Sequence, residues 1–334
     1  MRGPVLGPLA VTRSLCLCLA LVACRPANPT PKGAAAAAPE LDRPDTAPAT
    51  SPQRSALRVA ITFDDLPAHG PLPEGVTHAE VHQRILEVLA AHDIQGVYGF
   101  VNGEKVTDDG VVLRAWRDAG QRLGNHTLRH VDVGKVGLEE FVADIDANDE
   151  VLAKMDAQEA ERRIFRYPYL RPGPDEATLD GVRDHLTSRG YRIAEVTIDF
   201  GDWAYNPPYA RCRNGGDDDS VEALRFDFLH RSTATLTWSE AAAQQIYGRS
   251  VPHVLLLHSG AFDAEVLDDL LTAYEKRGVE WIGLPEALAD EAYQKLPRVP
   301  SKWGGTLLEQ QIALGADHPP FPLQPLRLLE RLCR

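Results

Sequence analysis

Runs of Lys and Arg are missing from this chain of 334 residues, in which 48 Asp and Glu outnumber 35 Lys and Arg and leave a formal net charge of −13. Phosphate backbones are bound by basic faces, so nucleic acid is excluded as a partner. No internal repeat is evident. Cysteine is scarce: there are five, and Cys16, Cys18 and Cys24 sit together near the N-terminus. The apolar stretch around them, residues 14–23, is too short to span a bilayer. What is plentiful is apolar side chains, 44% of the total, enough for a sizeable core.

Arg2 and Arg13 precede that short apolar stretch, and Leu21-Val22-Ala23-Cys24 closes it. The sequence resembles a bacterial lipobox, which implies that residues 1–24 are a lipoprotein signal peptide and that Cys24 is acylated as the mature N-terminus. An ordinary cleaved signal peptide with an incidental cysteine is the plainer alternative. The expected location is that of an exported, membrane-anchored lipoprotein; Arg25 stands where inner-membrane lipoproteins often carry aspartate, which extends the expectation, more weakly, to the outer membrane facing periplasm or exterior. Residues 25–56 are rich in Pro, Ala and Thr with few large apolar groups, and read as a disordered tether. Only Cys212 and Cys333 then remain; export permits a disulfide, and sequence leaves open whether they pair or stay as two buried thiols.

From Leu57 the pattern changes to short β-branched runs alternating with helical periodicity. Strands are expected at 57–63, 96–101, near 124, 191–198, 253–258 and 279–283, and helices at 79–92, 111–117, 138–155, 179–189 and 264–277. Repeated β-then-α units with apolar strands imply an α/β fold with a parallel sheet, open or closed. The alternation lapses over residues 204–250, read as an insertion beside the site with a helical stretch at 221–231.

Five short motifs fall at the C-terminal ends of these strands, where such folds gather their chemistry. They are Thr62-Phe63-Asp64-Asp65, Asn125-His126-Thr127-Leu128-Arg129-His130, Arg166-Tyr167-Pro168-Tyr169, Asp199-Phe200-Gly201-Asp202-Trp203 and Leu255-Leu256-Leu257-His258-Ser259. His126 and His130 are four apart, so on a helical turn their rings would face one ion. The glutamate that a zincin carries after its first histidine is absent, Thr127 standing there, so Asp64-Asp65 is the obvious source of carboxylate. Adjacent strand residues point to opposite faces; both aspartates can serve one site only if the strand bends or ends there, as Leu66-Pro67 suggests.

In this order the motifs resemble those of polysaccharide deacetylases with the NodB homology domain, carbohydrate esterase family 4, over residues 57–290. The resemblance implies a distorted (β/α) barrel, with residues 291–334 as a C-terminal extension. It implies Asp64 as general base, Asp65, His126 and His130 as metal ligands, and Arg166 as the group orienting the base. Tyr169 would offer its backbone N–H to the oxyanion, Trp203 would line the site, Asp202 would tune the last histidine, and His258 would be the general acid. The implied cofactor is one divalent metal, zinc foremost, with cobalt or nickel as alternatives. The implied substrate is an acetylated amino sugar polymer of the envelope or exterior, with the membrane engaged through the N-terminal lipid.

Two departures bear on that expectation. Leu170-Arg171 replaces the glycine that usually closes the third motif, and Val131 replaces the proline that usually follows the second. The altered third motif and the long insertion leave room for a non-sugar amide or an O-acetyl ester as substrate; a catalytically silent carbohydrate-binding protein held by lipid is the rival of another class, against which the chemically complete set of five motifs speaks. Among other histidines, His82 and His92 fall on an amphipathic helix and are expected in solvent; the plain expectation, no part in the site, also holds for His69, with a reach from its loop just past Asp65 into the site as the alternative. Asp199 reads as a structural carboxylate at a strand end, and Asp217-Asp218-Asp219 as a helix start capped by Asp219 or Ser220.

Overall fold

A computed structural model describes residues 56–324 and 326–334. The expected signal peptide, the expected lipidation at Cys24 and the expected tether lie outside the described residues. Seven strands form one sheet: β1 (Leu57–Leu66), β2 (Tyr98–Val101), β3 (Arg122–Asn125), β4 (Ile164–Phe165), β5 (Arg192–Ile193), β6 (His253–His258) and β7 (Val279–Trp281). Their order is β5-β4-β3-β2-β1-β6, every pairing is parallel, and β7 joins the N-terminal end of β1. The run 191–198 is a strand only at its start. Having paired with β4, it crosses to bridge Ile198 with Leu255 of β6, so the sheet returns upon itself as a distorted barrel.

Parallel strands are covered on both faces and must be apolar throughout. β1 accordingly buries every residue except Arg58, which is partly exposed, and β6 buries His253 through Leu257. Helices His78–Ala91, Val111–Asp118, Leu138–Lys154, Glu176–Ser188 and Ala261–Glu275 separate successive strands. His82 corrects its expected solvent exposure: it is buried on the inner face of the first helix, its Nε2 2.9 Å from the Pro67 carbonyl. His92 is likewise drawn in, as the C-cap, against Glu275 at 2.8 Å and Asp268 at 3.1 Å.

The segment after the fourth motif is two helices, Asn206–Gly215 and the 30-residue Asp218–Tyr247, far longer than the 221–231 stretch expected. Asp217, rather than Asp219 or Ser220, caps the second by accepting the Ser220 N–H at 3.0 Å. Both helices share the core of the barrel. Phe228 meets Phe200 edge-on with ring centres 4.9 Å apart, and Phe262 packs against Tyr205 at 5.8 Å and Tyr209 at 5.0 Å. Aromatic pairs of this kind add roughly 0.5–1.5 kcal/mol each beyond the area they bury. Cys212 of the first helix is disulfide-bonded to Cys333, tying the C-terminal end of the chain to this helix pair.

Candidate active site

The strand-end carboxylates come together through a break in β1. Its register against β2 shifts between Phe63 and Leu66, and Asp65 takes a left-handed φ of 68°. That turn sends both aspartates into one site, where an unbroken strand would part them. Pairing of β1 with β6 sets Asp64 opposite His258.

His126 and His130 do not lie on a helical turn; they occupy the loop after β3. Thr127 at φ 65° and His130 at φ 55° fold this loop back, and Asn125 Oδ1 accepts the Thr127 N–H at 2.9 Å. Helix Leu138–Lys154 clamps it through Asp144, whose carbonyl takes the Leu128 N–H and whose carboxylate takes the Arg129 N–H. The two rings end 4.9 Å apart. His126 Nδ1 is 2.9 Å from the Arg166 carbonyl, which can only accept, so Nδ1 carries the proton and the Nε2 lone pair faces Asp65. Burial lowers the His126 pKa to about 4, and burial with the neighbouring His126 lowers His130 to about 3. Both rings are therefore neutral at ordinary pH.

Asp65 Oδ1 lies 3.3 Å from His130 Nε2 and 3.7 Å from His126 Nε2. One ligand atom from each of the three residues falls within 4.8 Å of the others. Burial alone would raise the Asp65 pKa; the His69 hydrogen bond and the charge of His258 hold it well below the usual range.

Asp64 belongs to a different arrangement. Arg166, fully buried, gives an Nη1–H to Asp64 Oδ1 at 2.8 Å and its Nε–H to the Ala194 carbonyl at 3.0 Å, while its guanidinium lies 4.2 Å over the Phe100 ring. Burial pushes the Asp64 carboxyl up, and Arg166 draws it only part of the way back. Across the site, Asp202 accepts from His258 twice, at 3.0 Å from ring Nδ1 and at 2.6 Å from the backbone N–H. Burial opposes charge on His258, but Asp202 outweighs it and raises the imidazolium pKa to about 10.

Tyr169 and Trp203 are both half-exposed; the Tyr169 ring lies 4.4 Å from that of His130, and Trp203 follows Asp202 in the chain. Leu170, standing where a glycine was expected, takes a left-handed φ of 53°, as Tyr169 does at 58°. The loop thus keeps a backbone that glycine adopts freely, at a cost of roughly 1–2 kcal/mol for the leucine.

Three residues were missed by sequence reasoning. Lys105 Nζ sits 3.6 Å from Asp65 Oδ2, Asn206 braces the loop carrying His69, and buried Asp263 lies against Asp202. Burial and the Asp202 charge raise the Asp263 carboxyl well above the usual range, leaving a neutral acid that can donate to Asp202. A lone aspartate one turn into a helix carries no local signal for this. Asp199 accepts the Gly201 N–H at 2.9 Å, which shapes the fourth motif's turn.

Residues 52–194 match the family model described as polysaccharide deacetylase, a span that includes the first three motifs and ends before Asp202 and His258. The chain is 24% identical over 244 residues to a peptidoglycan-N-acetylmuramic acid deacetylase of Bacillus subtilis, covering 73% of this chain and 74% of that one. It is 28% identical over 146 residues to a chitooligosaccharide deacetylase of Rhizobium leguminosarum bv. trifolii, covering 44% of this chain and 59% of the relative. A solved chitin deacetylase from the fungal pathogen Colletotrichum lindemuthianum aligns with a TM-score of 0.49 at 20% identity, over 70% of this chain and 88% of the other.

Proposed function

We propose, from the match of residues 52–194 to the polysaccharide deacetylase family model, that this chain removes N-acetyl groups from an envelope amino sugar polymer using one divalent metal held by Asp65, His126 and His130. The observation that carries the reading is Asp65 Oδ1, a buried carboxylate oxygen with no hydrogen-bond partner among the described residues, beside two neutral imidazoles. A buried polar atom without a partner needs an explanation, and a cation fits this donor set. Zinc suits these ligand types best, with cobalt and nickel also compatible. When bound, such an ion supplies Lewis acidity toward the amide carbonyl and acidifies a water.

The remaining steps belong to the protein's own groups. Arg166 claims one oxygen of Asp64, and the other, 3.7 Å from His126 Nε2, faces the reacting water and takes its proton. The raised pKa makes Asp64 a better acceptor than a solvated aspartate. An amide nitrogen leaves poorly as an anion, so His258, kept protonated by Asp202, delivers a proton to it. The backbone N–H of Tyr169 supports the oxyanion, and Trp203 presents its ring to the sugar. The Cys212–Cys333 disulfide supports a non-cytoplasmic location, in keeping with lipid attachment at Cys24.

The deciding experiment measures acetate released by the full chain from N-acetylglucosamine oligomers and from acetylxylan, before and after chelation. Acetate from the oligomers, lost with chelator and restored by zinc, is the expected result. Release from acetylxylan alone would make the enzyme an esterase, and release from neither with zinc bound would leave a silent binding protein.

A further inference from the structure

His69 lies in the loop that follows β1, and its Nδ1 is 2.9 Å from Asp65 Oδ2, the oxygen turned away from His126 and His130. The loop is braced from outside. Asn206 donates from Nδ2 to the Pro71 carbonyl at 2.9 Å and to the His69 carbonyl at 3.4 Å, while its Oδ1 accepts the Phe262 N–H at 3.1 Å. Gly70 lets the brace come close: at φ 65°, a Cβ there would fall 2.4 Å from Asn206 Nδ2. Asn206 opens helix Asn206–Gly215 and is itself buried.

Asp65, His69 and His258 also bring three ligand atoms within 4.8 Å of one another, a set whose donor types alone would suit a second cation. Lys105 argues against that use. Its ammonium stands 3.6 Å from the same Asp65 oxygen and is anchored on the Ala68 carbonyl at 3.2 Å, so that side of the carboxylate already faces positive charge. The contact between His69 and Asp65 is a hydrogen bond of ordinary length.

We propose that His69 is a positioning residue for the metal ligand Asp65. Its Nδ1–H holds Oδ2 so that Oδ1 stays turned toward His126 and His130, and Asn206 holds the His69 loop, making the helix pair after the fourth motif a strut of the metal centre. Carboxylate ligands are commonly oriented by such an outer hydrogen bond, whose loss typically weakens metal binding about 10- to 100-fold. The inference rests on the metal assignment made above, and the experiment separates the two.

Zinc affinity is measured on the full chain by competition with a chromogenic chelator, beside the melting curve of the zinc-free protein. His69→Ala is expected to weaken zinc binding by about 10- to 100-fold with melting close to that of the parent chain. His69→Asn, whose side-chain amide can place an N–H where Nδ1–H stood, restores most of the affinity, and Asn206→Ala gives a smaller loss in the same direction. Asp65→Asn is the control. If zinc binding ignores it, the metal assignment fails and takes the His69 role with it. If Asp65→Asn releases zinc while His69→Ala binds like the parent chain, the positioning role alone is overturned. A His69→Ala loss that His69→Asn does not recover also overturns it, because His69 would then be a ligand itself.

Discussion

Two buried carboxylates face each other across the site, each paired with a cation, yet they are pushed in opposite directions. Asp64, on Arg166 at 2.8 Å, has a raised pKa, whereas Asp202, on His258 at 3.0 Å, has a lowered one. Burial raises both. The balance differs because Arg166 divides its donors between Asp64, Thr62 and the Ala194 carbonyl, while Asp202 receives two hydrogen bonds from His258 and has the neutral acid Asp263 at its side. A general base must be ready to accept a proton, and the partner of a general acid must refuse one. The two environments suit the roles proposed for Asp64 and for His258 with Asp202.

The contrast breaks most severely on the base side. Asp64→Asn is expected to lower turnover by about two to four orders of magnitude while zinc stays bound, whereas Asp65→Asn should lose zinc and regain part of its activity in excess metal. Metal content measured beside turnover checks both, and the reverse pattern would exchange the roles of the two aspartates. Arg166→Ala strikes the same side through the fold. Because Arg166 is fully buried, removing it strands Asp64 and opens a cavity, at a cost of about 3–5 kcal/mol. Urea unfolding should show this, and a variant as stable as the parent chain would mean the pair is dispensable to the fold.

On the acid side the effect is a shift in pH. As the proposed general acid, His258 must be protonated to act, so the alkaline limb of activity should follow its pKa, near 10 with Asp202 present. Asp202→Asn removes the largest influence raising that value and leaves the charges of Asp65 and Asp64 to oppose burial, so the limb should move down from near 10. A pH–rate profile with its alkaline limb unmoved would refute the assignment of His258. The smallest effect is expected of Asp263→Asn, since an amide N–H can replace the acid O–H against Asp202; the same profile should move by less than about one unit.

Much of this was legible in the residues. The parallel strands were readable because strands covered on both faces show as continuous apolar runs, and β6 coincides with the expected 253–258. The bend that unites Asp64 and Asp65 was implied by Leu66-Pro67. Spacing misled at His126 and His130, where four residues suggested a helical turn and Asn125, Thr127 and Asp144 instead build a loop. Amphipathic periodicity misled at His82, which the polar Pro67 carbonyl draws into the interior.

The sequence by itself determined which chemical groups stand at the strand ends, because strand and helix follow from the local spacing of apolar side chains and each motif is contiguous. Only the tertiary structure decided how those groups are tuned. Asp202 meets His258 across 56 positions, Asn206 reaches back 137 to the His69 carbonyl, and Cys212 joins Cys333 across 121. No periodicity within a segment records such partners; they are chosen when the sheet closes, and burial then makes each hydrogen bond count in setting a charge.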